Sequence, residues 1–339
     1  MNTLKSSLVI LAALAAITFD SRGQTTRVTG QWDFDGGDLK ATVGRDLEYG
    51  DGPGAFMAAR TRFGGAQEFG IPVINGTEKV MGYFRSEHPP GNYVAGYAMR
   101  HGIAPNGGGA KVNQWTLIID ILFPDLHLGD QYSALIEIQN RADSDADLFV
   151  HEESTGVGGI GISGQYAGRL TAGQWHRVVL AVDLAATPPV ISKFIDGVKA
   201  ADQTVAEGIG LDGRFALEEI AHLFSDGGQD NEVNTYFVNS VQIRDGKLSD
   251  DGVAALGGPQ ATGIPDTGSP PVTSQPKLSA TRRASQLTFA WDAGVTGFIL
   301  QATDNLANPN WQAVSGVNSN SISITVGVRA QFYRLKQSP

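Results

Sequence analysis

The chemistry open to this chain rests on its histidines, hydroxyls and carboxylates, because it contains no cysteine. The six histidines are His88, His101, His127, His151, His176 and His222, and they include neither an i, i+4 pair nor a His-x-His pair. No local motif for a zinc site results. Retaining glycoside hydrolysis needs two carboxyl groups about 5 Å apart, which alternate positions on one strand can present. The stretch LIEIQNR supplies Glu137, then Gln139, then Arg141 on that alternation. One carboxylate cannot be both acid and nucleophile, so a hydrolase would have to pair Glu137 with Asp120 from another segment. Ser163 lies in GISGQ, with Ile162 directly before it, and so is not in a G-x-S-x-G elbow. The NGGG run at 106–109 lacks the Lys-Ser/Thr continuation of a phosphate cradle and reads as a flexible rim loop.

Binding chemistry is better represented. SDGGQDNE places Asp226, Asp230, Asn231 and Glu232 within seven residues, and hard oxygen donors of this kind suit Ca²⁺. Asp33 or Asp35 joins them if the terminal strands pair. The spacing is not that of an EF-hand, and the same run also reads as a solvated acidic turn. Sugar recognition needs an aromatic face beside hydrogen-bonding groups. Its candidates are His101, Tyr132, Glu137, Gln139, His151 and Tyr166, with Tyr97 and Trp115 also considered. Trp115 alternates with Leu117 and Ile119, which points it to the core.

The elements that would position these residues are strands. Forty-three glycines suit many tight turns, and no long segment shows the helical period. Alternating or apolar runs predict strands at 114–123, 133–140, 145–152, 175–183, 190–195 and 235–244. Asp196-Gly197 is a two-residue hairpin signal, while Ser249 and Gly257 bracket a short helix as N-cap and stop. Such a chain folds as two stacked antiparallel sheets, each with one hidden face and one face free to be wet. Trp175 is expected in the core and His176 on the opposite face. The net charge of −10, with no basic stripe, argues against nucleic acid as a partner.

Residues 1–23, with Lys5, the apolar run Leu8–Ile17 and the small residues Ala15, Ala16 and Gly23, read as an export signal too short to anchor in a bilayer. No other segment is apolar enough to span one. A main unit is expected over 24–258. The Gly/Pro/Thr/Ser-rich 259–276 reads as a linker, and 277–339 as a small β module.

Trp175-His176 opening a strand, followed about twenty residues later by KFIDGVKA, resembles the signature of laminin-G-like jelly rolls of the concanavalin A superfamily, with Phe194 at the usual Tyr position. WDFDGG near the start and YFVNSVQIRDGKLSDDGVAALGG near the end are similar to that family's terminal strands and closing helix. The C-terminal GFILQATDNLANPNWQAV and FYRL are similar to small β modules of exported bacterial proteins. The resemblance implies an all-β fold: a concanavalin A-like jelly-roll β-sandwich followed by a small β-sandwich-like domain, with one Ca²⁺ at a sheet edge. The functional expectation is a secreted, cell-surface or periplasmic protein without catalysis that binds a glycan or surface component. The alternatives are a divergent polysaccharide hydrolase using Glu137 and Asp120, and a structural or adhesive envelope protein.

Overall fold

Residues Arg27–Trp32 (β1), Glu48–Tyr49 (β2), Thr61–Gly65 (β3), Lys79–Tyr83 (β4), Tyr97–Met99 (β5), Gln114–Leu122 (β6), Tyr132–Glu137 (β7) and Leu148–Ser154 (β8) form the first eight strands. They are followed by Val157–Ile162 (β9), Gln165–Thr171 (β10), Trp175–Asp183 (β11), Val190–Ile195 (β12), Val198–Asp202 (β13), Ala221–Leu223 (β14) and Tyr236–Asp245 (β15). Short helices occupy Phe56–Arg60 (α1), Ala66–Phe69 (α2) and Asp250–Leu256 (α3). This computed structural model describes residues 26–51, 55–74, 79–85, 96–126, 132–138, 145–226, 232–266, 278–283, 285–291, 298–305, 310–317, 320–325 and 331–337. The expected export signal lies outside them. No helix among the described residues is long and apolar enough to cross a membrane.

The protein is all-β. One sheet runs β13-β12-β11-β6-β15-β4-β3, with β1 also paired to β15, and the other runs β10-β9-β8-β7-β14-β5-β2. Their facing side chains share one core. Trp115, Leu117, Ile119 and Ile121 of β6 and Val178, Leu180 and Val182 of β11 meet Ile136, Val150, Ile160 and Ile162 of the second sheet. Each fully buried Val, Leu or Ile contributes roughly 1.5–3 kcal/mol. Trp115 is buried in this core and donates its indole N–H to the Phe215 carbonyl at 2.8 Å.

The outer face of the larger sheet is not wet as expected, but buried a second time. Ile118, Val179, Ala181 and Phe194 are covered by Leu248, Val253 and Leu256 of α3 and its entry, and by Ile264. Ser249 caps α3 by accepting the Gly252 N–H, and Gly257 ends the helix, both as the sequence indicates. The first part of the stretch expected as a linker is docked. Gln31 and Gln242 donate to the Ile264 carbonyl at 3.1 and 3.2 Å, Asn239 to the Gln260 carbonyl at 2.9 Å, and Arg244 to the Pro265 carbonyl at 3.0 Å. Its Gly/Pro composition suggests a free chain, but the sheet's outward polar side chains satisfy its carbonyls and Ile264 anchors it.

Trp175 and His176 take the opposite sides from those expected. Trp175 packs half-buried outside the sheet, against Val80, Leu122 and Phe237, and donates to the Pro72 carbonyl at 2.7 Å. His176 shares the parity of core-facing Val178. Thr171 N–H donates to its Nε2 at 3.0 Å, so the proton sits on Nδ1 and is donated to Asp196 at 2.7 Å. Asp196 and Gly197 have φ of 53° and 79°, the left-handed pair a tight hairpin needs. The Trp-His pair is therefore scaffold, and both imidazole nitrogens are occupied.

The described residues between 278 and 337 form two three-stranded sheets. One pairs Ser279–Arg283, Gln286–Ala290 and Ser321–Thr325, and the other pairs Gln312–Ala313, Phe298–Thr303 and Phe332–Gln337. They enclose their own small core of Phe289, Trp291 and Leu300.

Candidate functional site

Three of the six sugar-binding candidates meet on the second sheet. Tyr132 stands opposite His151 in register, His151 opposite Gly159, and Tyr166 opposite Gly161. Positions 159 and 161 share a strand face and place no side chain between the rings. A Cβ at Gly161 would come within 1.9 Å of the Gln165 carbonyl oxygen. His151 therefore lies 4.6 Å from Tyr132 and 4.6 Å from Tyr166, centroid to centroid, and the two tyrosines are 5.9 Å apart. All three residues are half-buried. Buried His151 Nδ1 has no hydrogen-bond partner among the described residues.

Carboxylates flank this ring trio. Asp145, Asp226 and Glu232 each bring an oxygen to within 4.8 Å of the other two. Asp226 is buried and accepts the Ala146 N–H, whereas Asp145 is exposed and Glu232 half-buried. Burial pushes the Tyr166 hydroxyl up to about 12, helped by Tyr132 and by the charges of Asp145 and Glu232, which places the acids within electrostatic reach of the ring. Two oxygens on opposite sides of a Ca²⁺ ion lie about 4.6–5.2 Å apart, so the three carboxylates fit one hard cation. Of the expected ion ligands, Asp226 and Glu232 belong to this group, while Asp230 and Asn231 lie outside the described residues. Asp35 is exposed in the turn after β1 and is not a member of it. Asp145 was missed because it is distant in sequence, although it opens the DADLFVHE run just before β8.

The remaining candidates are placed elsewhere. Glu137 is fully buried, accepts from Ser225 Oγ at 2.7 Å and has His222 as its register partner. Beside it, burial raises Asp147 to about 6 despite the Arg214 guanidinium at 2.6 Å. Burial also lowers His222 to about 4. His101 lines a separate cleft with both ring nitrogens in use: Nε2 donates to the Glu218 carbonyl, and Ile103 N–H donates to Nδ1 at 3.0 Å. Gln139 lies outside the described residues. The NGGG loop is pinned rather than free at its Asn106 end: Nδ2 donates to the Gln114 carbonyl and Oδ1 accepts from Asn113 N and Gln114 N, each at 2.8 Å, while Asp212 holds the following Ala110 and Lys111 N–H groups at 2.8 Å.

A Glu137/Asp120 acid pair does not assemble. The two lie in different sheets, and Asp120 is fully buried with both oxygens held by Arg177, at 2.7 and 2.8 Å.

Fold and site together describe a β-sandwich with an aromatic and acidic surface, in which Glu137 and Asp120 do not form the acid pair. No family model and no curated protein matches the chain. Solved structures with similar architecture include domain 4 of AbnA, a GH43 extracellular arabinanase from Geobacillus stearothermophilus, in complex with arabinotriose. It is 14% identical over 69% of this chain and 100% of that one, with a TM-score of 0.40. The binding domain of Paraclostridial Mosquitocidal Protein 1 is 12% identical over 85% of this chain and 63% of that one, at 0.42. Trypanosoma rangeli sialidase is 15% identical over 63% of this chain and 33% of that one, at 0.33. The functional reading rests on the site itself.

Proposed function

We propose that this protein is a non-catalytic, exported binding protein that recognises a glycan on the surface formed by Tyr132, His151 and Tyr166. The observation that carries the reading is the close approach of these three rings beside Asp145, Asp226 and Glu232. Aromatic faces receive the apolar side of a sugar ring, and the polar edges hold its hydroxyls. Ca²⁺ held by the three carboxylates would tie together the strand ends that carry them and offer its remaining positions to sugar hydroxyls, since it takes six to eight oxygens. The leader-like residues 1–23 support export, and 277–339 would serve as a spacer or attachment module.

A glycan array probed with the full chain in Ca²⁺ and in chelator tests the proposal. Binding to a defined glycan class that weakens in chelator supports both parts, and binding indifferent to chelator removes the ion. An array empty in both conditions overturns the glycan reading in favour of protein-mediated adhesion.

A further inference from the structure

A second cleft, of about 300 Å³, opens beside the start of β14, whereas the acidic group follows that strand's end. We propose that it binds a small anionic sugar, a hexuronic acid unit, through Arg45 and Arg100 over an apolar floor of Ile103, Val112 and Leu217. Its volume is at the lower end of the roughly 300–1,000 Å³ usual for ligand sites, which suits a single sugar ring.

The cleft is preformed. Val112 and Leu217 exchange both backbone hydrogen bonds, at 3.2 and 3.0 Å, and Asp212 fastens the neighbouring turn. His101 belongs to the wall and has no ring nitrogen left for a ligand.

The charges in the cleft are unequally committed. Lys111 is paired with Glu218 at 2.8 Å. Arg100 reaches Glu48 at 3.5 Å and Glu219 at 3.2 Å, and these carboxylates are 62% and 82% exposed. Such solvated pairs are weak and exchangeable. Arg45 is exposed and has no ion-pair partner among the described residues, in a protein whose net charge is −10. An incoming carboxylate can take the Arg45 guanidinium, displace Glu219 from Arg100, and form planar two-point contacts that a neutral sugar cannot. The sugar's apolar face then lies on the aliphatic floor. This site shares no residue with the ring trio and stands or falls separately from it.

The test is titration of the full chain with glucuronate, glucose and acetate, followed by amide and side-chain NMR shifts at Arg45, Arg100 and Ile103. Glucuronate is expected to bind at least tenfold more tightly than either control, because glucose lacks the charge and acetate lacks the ring. Arg45→Ala should weaken it by about tenfold, and Lys199→Ala, which removes a positive charge on β13 outside the cleft, should leave it unchanged. Binding should fall on going from 50 mM to 500 mM NaCl, since Arg45 is solvent-exposed. Equal binding of glucose and glucuronate overturns the proposal. So does acetate matching glucuronate, no glucuronate shifts at 10 mM, or an Arg45→Ala variant that binds like the parent. A blank glycan array with positive glucuronate shifts here would sink the ring-site reading and leave this one intact.

Discussion

Replacing Asp120 by Asn separates scaffold from catalysis at the acid pair expected of a hydrolase. Arg177 is fully buried and divides its donors between Asp120 and the Leu256 carbonyl, at 2.7 Å, so the ion pair fastens α3 to β6 and β11. The Gln260 backbone N–H also bonds Asp120, which brings the docked strap into the same knot. Asn keeps the volume but leaves a guanidinium buried without its counter-charge, and breaking such a pair costs about 3–5 kcal/mol. For a unit of this size that corresponds to a fall in Tm of roughly 6–20 °C. The double variant Asp120→Leu/Arg177→Met should recover part of the loss, since well-packed apolar groups replace buried pairs at little cost. It should fall short by about 1–3 kcal/mol, because the Leu256 carbonyl then loses its donor. Urea unfolding of the three proteins measures this. An Asp120→Asn variant within about 1 kcal/mol of the parent would show that the Asp120–Arg177 pair does not hold α3 to the sheet. Polysaccharide turnover abolished in a variant of unchanged stability would restore the hydrolase.

Further outcomes follow from other buried groups. Burial raises Asp147 from 3.8 to about 6, so the folded state holds that proton more tightly and stability falls by about 3 kcal/mol as pH rises from 4 to 6. His222 is lowered from 6.5 to about 4, so the unfolded state takes that proton first and stability rises by about 3 kcal/mol from pH 4 to 6.5. The two slopes oppose each other: Asp147→Asn should make stability rise more steeply over this window and His222→Gln should make it fall, as read by urea midpoints at several pH values. Ile264→Ala should destabilise by about 2–4 kcal/mol in the same assay, because its side chain is buried against the larger sheet; a change near zero would mean the strap is not docked.

Much of the architecture is written in local pattern. The extents of β6 and β11, the Asp196-Gly197 turn and the Ser249 cap all appear in the fold where the residues place them. The covered outer face was also legible but overlooked. WTLIIDIL puts Ile118 and Leu122 on the side away from Leu117 and Ile119, and a strand apolar on both sides is a strand buried on both sides. The facing of Trp175 was not legible, since both faces of β11 are apolar and parity alone does not say which is inside. At the candidate site, alternation marks Tyr132, His151 and Tyr166 singly, but their convergence depends on Gly159 and Gly161 leaving the intervening strand bare. Asp145 joins Asp226 and Glu232 through tertiary pairing across about eighty residues, which no local spacing encodes.

On the proposed function, the ring trio and its carboxylates form the glycan-binding surface. Calorimetric titration of the best array glycan, in 1 mM Ca²⁺, into the parent, Tyr166→Ala and Asp226→Asn measures it directly. At least a tenfold rise in Kd is expected for Tyr166→Ala and a loss of Ca²⁺ dependence for Asp226→Asn, with both variants folded. Parent-like affinity and Ca²⁺ response in both would contradict it.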